Sequence, residues 1–216
     1  MPRRVGITED MGQHADMTTG LPPPPTTRKA RSTYEGLIAA TREVVRSEGR
    51  VDAERIAAAA ALSPATFYSY FSSKDAALAA AFDRALDDML RQLDEHLTIE
   101  RLLEFGLAET VRSLVWMVAR GFTHDARVFR LTMSRLPESE VLRTVYRHHD
   151  QALTDKVERF VRLGMSAGQI RVGESRPMAE AIVVSVQGFQ NPLILRQGAA
   201  PLLEELTTML TKFLTP

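Results

Sequence analysis

From Arg28 onward the apolar residues return every three to four positions, and that period limits the fold more than any other feature of the chain. Tyr34, Leu37, Ile38, Thr41, Val44 and Val45 mark one face of an amphipathic helix, which Gly49 can end as a C′ residue. Asp52 is placed to cap a second helix over 53–60, with Ile56, Ala57 and Ala60 on its buried side. Ser63-Pro64 then opens a third, because proline at the first helical position forfeits no hydrogen bond. That helix runs to Phe71, and Ser73 caps a long fourth helix from Lys74 to Leu97. Segments 99–120, 125–136, 138–165, 177–197 and 201–214 keep the helical period between Gly, Pro and capping residues. Ala181 to Phe189 is rich in β-branched residues, yet its flanks favour helix, and Pro192 is expected to kink or break the segment. No stretch alternates with period two, so the expectation is an all-α protein of about nine helices.

Several chemistries are excluded early. Cysteine is absent, which removes disulfides, thiolate zinc sites and cysteine nucleophiles together. The five histidines include one adjacent pair, His148-His149, whose side chains point about 100° apart on a helix and lack the i, i+4 spacing of a zinc face. Gly164-Met165-Ser166-Ala167-Gly168 matches the G-x-S-x-G elbow of hydrolases, but that motif needs a preceding strand, and here an amphipathic helix precedes it. No phosphate-cradling glycine loop is present, and the expectation is a non-enzyme with no cofactor and no metal. No apolar run is long enough for a membrane span, and no apolar segment follows Arg3-Arg4, so a cytoplasmic protein is expected. Residues 1–27, with Pro22 to Pro25, read as a disordered proline-rich arm.

Two short helices joined through Ala61-Leu62-Ser63, after a longer amphipathic one, form the pattern of a helix-turn-helix unit. On the third helix, Phe67 and Phe71 share one face and should pack with Leu62 and Ile56. Ala65, Thr66 and Ser69 lie opposite, small enough for close approach to base edges, with Tyr68 and Tyr70 on the flanks to reach phosphates or bases. Net charge is zero, 27 Lys+Arg against 27 Asp+Glu, so any binding to DNA must rest on a local patch. Residues 28–74 hold eight Lys/Arg against five Asp/Glu, and Arg28, Lys29 and Arg31 cluster just before the first helix.

The run Ile56-Ala57, Ala60 to Phe71 and Ser73-Lys74-Asp75, preceded by Leu37-Ile38, Ala40, Val44-Val45 and Gly49, resembles the N-terminal domain of TetR-family bacterial transcriptional regulators. The resemblance covers about 50 residues. It implies a three-helix DNA-binding domain over 28–74 (motif 52–71), a linking helix over 75–97, and a helical-bundle ligand-binding and dimerisation domain over 98–216. It also makes Thr66, Tyr68, Ser69 and Tyr70 the DNA-facing set, supported by Ala65, with Lys74, Arg28 and Arg31 toward phosphate. Ala61 departs from the family, which usually has glycine in the turn; a left-handed alanine costs about 1–2 kcal/mol.

One recognition helix reads few base pairs, so a homodimer on a palindromic double-stranded operator is expected. The helices over 177–197 and 201–214 are apolar on more than one face and are the expected dimer surface, as an antiparallel pair meeting its mate. The resemblance further implies a pocket for an unidentified small effector, apolar in character. Phe105, Trp116, Met117, Phe122, Phe129, Met133 and Tyr146 are candidate lining groups, and Gln187 and Gln190 candidate orienting groups. Effector binding would shift the helix from Lys74 to Leu97, change the spacing of the recognition helices and release the operator, as a repressor does. The competing reading is a helical adaptor of the same fold without sequence-specific DNA binding.

Overall fold

Local capping decides where each helix of the N-terminal unit begins. In the computed structural model, which describes residues 21, 23, 25–196 and 198–216, Thr27 opens α1 (Arg28–Glu48) by accepting from the Ala30 N–H. Gly49 closes it at φ 72°, a left-handed conformation open to glycine at little cost. Asp52 accepts from the N–H groups of Glu54 and Arg55 at the head of α2 (Ala53–Ala59), and Ser63 from that of Thr66 at the head of α3 (Pro64–Tyr70). Ser73 does the same for α4 (Lys74–His96), accepting from Ala76. The arm expected over 1–27 lies outside the described residues except at Leu21, Pro23 and 25–27.

The turn between α2 and α3 keeps its left-handed residue even without glycine. Ala61 sits at φ 56°, the one positive-φ non-glycine residue among those described. Its N–H donates to the Ala58 carbonyl at 3.0 Å, and the Leu62 N–H donates back to Ala57 at 2.8 Å. These two bonds make a Schellman motif with alanine at C′, and they hold the residue where it is. The G-x-S-x-G segment is the same device. Gly168, at φ 69°, donates to Met165 while Gln169 donates to Gly164, so the segment is the C-terminal stop of a helix. Gly164 lies inside that helix, where an added Cβ would meet Ile170 at 2.5 Å.

The remaining elements are α5 (Ile99–His124), α6 (Ala126–Arg135), α7 (Glu140–Ser166), α8 (Ser175–Gln187), a 3₁₀ turn at Gly188–Gln190, α9 (Pro192–Leu195) and α10 (Ala200–Leu214). The described residues are therefore all-helical, with ten helices rather than about nine. The difference lies at 177–197, read as one helix. It breaks at Asn191, whose extended backbone (φ −62°, ψ 135°) suits a residue before proline and whose side chain caps α9. A second departure is Gly106, whose φ 77° and ψ 171° interrupt α5.

Helix α4 is the axis of the molecule. It packs on α1, α5, α6 and α7, and six of its alanines are buried to allow that close approach. The last two long helices do not behave as one pair within the chain. Helix α8 packs chiefly along α7 through Met178, Ile182, Val183 and Val186, and α10 along α5 through Leu203, Leu210 and Leu214. Their apolar circumference is thus largely consumed inside the chain, and Val184, Leu193 and Met209 remain exposed.

Candidate nucleic-acid interface and effector cavity

Helix α3 is only seven residues long, so its orientation must come from packing. Phe67 and Phe71 are fully buried beside Ile56, their ring centroids 5.4 Å apart, and Tyr34 of α1 meets Phe71 at 5.5 Å. Leu62 packs partly buried against the same cluster. This fixes the opposite face. Ala65 and Ser69 are exposed, Thr66 is partly exposed, and Tyr68 is 54% exposed with its ring edge-on to Phe67. Tyr70 is placed differently: it is half-buried and stacks on Tyr34 at 6.2 Å, so only part of it faces outward.

Two hydroxyls of the outward face are already engaged. Thr66 Oγ1 and Ser63 Oγ lie 2.9 Å apart, and Ser69 Oγ donates to the Thr66 carbonyl at 2.7 Å. Both keep acceptor capacity for an incoming donor. Arg28, Arg31 and Lys74 are exposed, and Lys74 forms no ion pair among the described residues; Arg31 also donates to the Pro25 carbonyl at 3.4 Å. By contrast Arg55 and Arg50 are held by Glu48, and Arg42 faces inward.

That inward arginine is the main feature missed in the sequence. Arg42 of α1 donates through Nε and Nη2 to both oxygens of Asp125 (2.8 and 2.6 Å) and through Nη1 to Asp88 of α4 at 2.5 Å. Asp125, 3% exposed, is the single residue between α5 and α6. The Asp125 hydrogen bonds, against the cost of burial, raise the Arg42 guanidinium pKa further above its ordinary value. Arg46 donates to the His124 carbonyl, and Arg127 of α6 to the carbonyls of Arg46 and Ser47. At the other end of α6, Arg135 pairs with Asp75 at 2.5 Å, one residue from Lys74. Nothing local in the sequence links positions 42 and 125, since the pairing depends on two helices crossing.

A cavity of about 80 Å³ lies between α4, α5, α6, α7 and α8. Of the candidate lining groups, Met117, Phe122, Phe129, Tyr146, Gln187 and Gln190 are in its wall. Met133 lines an adjoining outer cavity of about 270 Å³ that shares Phe122, Phe129 and Gln190 and adds Arg130 and Pro192. Phe105 lies outside both, exposed beneath the Arg101 guanidinium at 5.1 Å, and Trp116 is half-buried against the core. Among the residues missed are Phe82, Leu86, Met89, Leu90 and Leu93, all from α4, and the polar pair His149 and Asp150.

His149 is 4% exposed; its Nε2 is 2.8 Å from Asp83 Oδ1, and its Nδ1 has no partner among the described residues. Asp150 Oδ1 accepts from Gln187 Nε2 at 2.7 Å. Burial, and secondarily the Asp150 charge, raises the Tyr146 phenol above its ordinary value; burial and then Asp83 do the same to the Asp87 carboxyl. The rings of His148 and His149 are 5.3 Å apart at 82°, and among the described residues no group of three His, Asp or Glu is placed to hold a metal.

Residues 37–81 match the family described as bacterial regulatory proteins, tetR family. The chain carries the N-terminal domain of the tetR family. Beyond that domain the likeness is one of fold. A TetR transcription regulator from Haloarcula marismortui shares 18% identity over 85% of this chain and 96% of its own, with a TM-score of 0.70. A transcriptional regulator from Rhodococcus sp. Rha1 shares 20% identity over 84% and 95%, at 0.65. The fatty acid degradation regulator FadR from Bacillus halodurans shares 16% over 83% and 94%, at 0.64. No curated protein sequence matches the chain. No described helix is long and apolar enough to cross a membrane.

Proposed function

We infer that this protein is a ligand-responsive, sequence-specific DNA-binding regulator: a cytoplasmic repressor, not an enzyme, that binds a palindromic operator as a dimer and leaves it when a small effector binds. The observation that carries this reading is the build of α3. Its inner face is locked by Phe67 and Phe71, and its outer face offers Ala65, Thr66, Tyr68 and Ser69 with Lys74 beside them. Such a face suits a major groove, with Tyr70 on the margin and Arg28 and Arg31 toward phosphate. We assign 28–74 as the reader, 75–97 as the link and 98–216 as the effector and dimer unit.

Helix α4 supplies the transmission. It contributes five cavity-lining side chains, and its first residues follow the reader directly. An effector that enlarges the cavity displaces α4, and Asp88 and Asp75 pass the movement to Arg42 and α6. It acts only insofar as it binds the displaced arrangement more tightly. Val184, Leu193 and Met209 form the apolar part of the surface left for a second copy.

Fluorescence anisotropy on the upstream intergenic DNA and a scrambled duplex, at two salt concentrations, tests the reading. A specific-over-scrambled ratio of about 10³ or more is expected. Tyr68→Ala should lower the specific affinity roughly tenfold, the worth of about one hydrogen bond, without changing Tm. Equal, steeply salt-dependent binding to both duplexes, unchanged by Tyr68→Ala, would favour the adaptor reading.

A further inference from the structure

The cavity has two unlike ends. Leu93, Leu114, Val157 and Ile182 close one end, and the last three of these also line a further apolar void toward Phe160 and Leu214. At the other end α7, α8 and the 3₁₀ turn after it bring Tyr146, His149, Asp150, Gln187 and Gln190 together beside Phe82, Phe122 and Phe129. Among the described residues the wall holds one carboxylate, Asp150, and one imidazole, His149, and no Lys or Arg.

The hydrogen-bonding state of that polar end fixes what it can receive. His149 Nε2 lies 2.8 Å from Asp83 Oδ1, and its Nδ1 is buried without a partner among the described residues. Asp150 takes one hydrogen bond from Gln187 and forms no ion pair among the described residues. The carboxylate of Asp150 keeps acceptor capacity and calls for a donor that carries positive charge. Phe82, Phe122 and Phe129, packed edge to face at 5.4 and 4.6 Å, add ring surfaces that attract a cation. A carboxylate here would stand against Asp150 in an apolar surrounding, where like charges repel strongly.

We propose that the cavity binds an elongated apolar amine, its protonated nitrogen donating to Asp150 beside the phenylalanine rings and its hydrocarbon body running toward Leu114 and Ile182. This rests on reading the cavity as the effector site and adds the chemical class of the effector. At about 80 Å³ the space holds only part of such a molecule, so entry requires Met89, Met117 and the leucines of α4 to move, which flexible side chains allow. The one arginine nearby, Arg130, is exposed and lines only the outer cavity.

The test is calorimetric titration of the full chain, without DNA, with decylamine, decanol and decanoate below their aggregation concentrations. Decylamine should bind at least about tenfold more tightly than decanoate, a difference of about 1.4 kcal/mol. Asp150→Asn, which keeps the shape and the bond from Gln187, should shrink that ratio to under about threefold, or about 0.7 kcal/mol. Decanoate binding as tightly as the amine, a ratio indifferent to Asp150→Asn, or no binding by any of the three would overturn the proposal. Amine binding that leaves operator affinity unchanged would instead overturn the effector role and leave this ligand class standing.

Discussion

The reader and the cavity are built from the same kind of helix, yet they treat their interiors in opposite ways. In α1 to α3 the core is filled by Phe67, Phe71, Ile56 and Leu37, each fully buried, and the helix ends are satisfied by caps within three residues. Around the cavity, space is left open, and His149 Nδ1 lacks a partner among the described residues. A surface that reads base edges must hold its geometry to fractions of an ångström, whereas a pocket that signals must be able to change. Packing density separates the two roles, since filled interiors resist displacement and unfilled ones accept it.

Matched truncations should expose that difference first. Phe67→Ala removes a ring from a site with no slack and should cost about 3–5 kcal/mol, enough to unfold much of the chain and abolish DNA binding. Met117→Ala, at the cavity wall, should fall at or below the low end of the roughly 2–5 kcal/mol range, because one side of that methionine already faces open space. Chemical denaturation of both variants checks the pair; equal losses would break the contrast. The junction between the regions comes next. Asp125→Ala strips Arg42 of its bidentate partner, and because Arg42 is about a fifth exposed and keeps Asp88, about 2–3 kcal/mol is expected, below the usual range for a buried pair. The same variant should weaken any effect of ligand on DNA affinity by more than its loss of stability explains.

This contrast also governs what could be read from the sequence. The reader's determinants lie within about twenty residues: Asp52, Ser63 and Ser73 as caps, Phe67 and Phe71 four apart, small residues opposite. Local spacing encodes all of that, while the half-burial of Tyr70 under Tyr34 and the inward turn of Arg42 were hidden, because both depend on where α1 crosses. The cavity draws on α4, α5, α6, α7 and α8, whose residues are tens of positions apart, so composition offered Phe105 and Trp116 on the same footing as Phe122 and Phe129. His149 and Asp150 carry no pattern of their own. Their place follows from Gln187 and Asp83 arriving from other helices. Pro192 gave a local signal and the break came where it pointed, while the partners of α8 and α10 could not be inferred from apolar residues that fit several neighbours equally.

The smallest expected effect compares one motif in the two regions. Ala61 and Gly168 occupy the same left-handed C′ position of a Schellman motif, at φ 56° and 69°. Ala61→Gly relieves the Cβ against its carbonyl and should stabilise the protein by about 1 kcal/mol, less the chain entropy glycine adds to the unfolded state. Gly168→Ala should lose about the same amount for the same reason, since no atom lies within 4 Å of the added Cβ and the cost is backbone alone. For a chain of this size about 1 kcal/mol moves Tm by roughly 2–4 °C, so paired thermal melts resolve both signs. Opposite shifts of similar size would show that the α2–α3 turn stores strain in its backbone and nowhere else. If Ala61→Gly instead leaves Tm unchanged and loosens DNA binding, the alanine serves to restrict the turn, and the rigidity of the reader extends into its one strained residue.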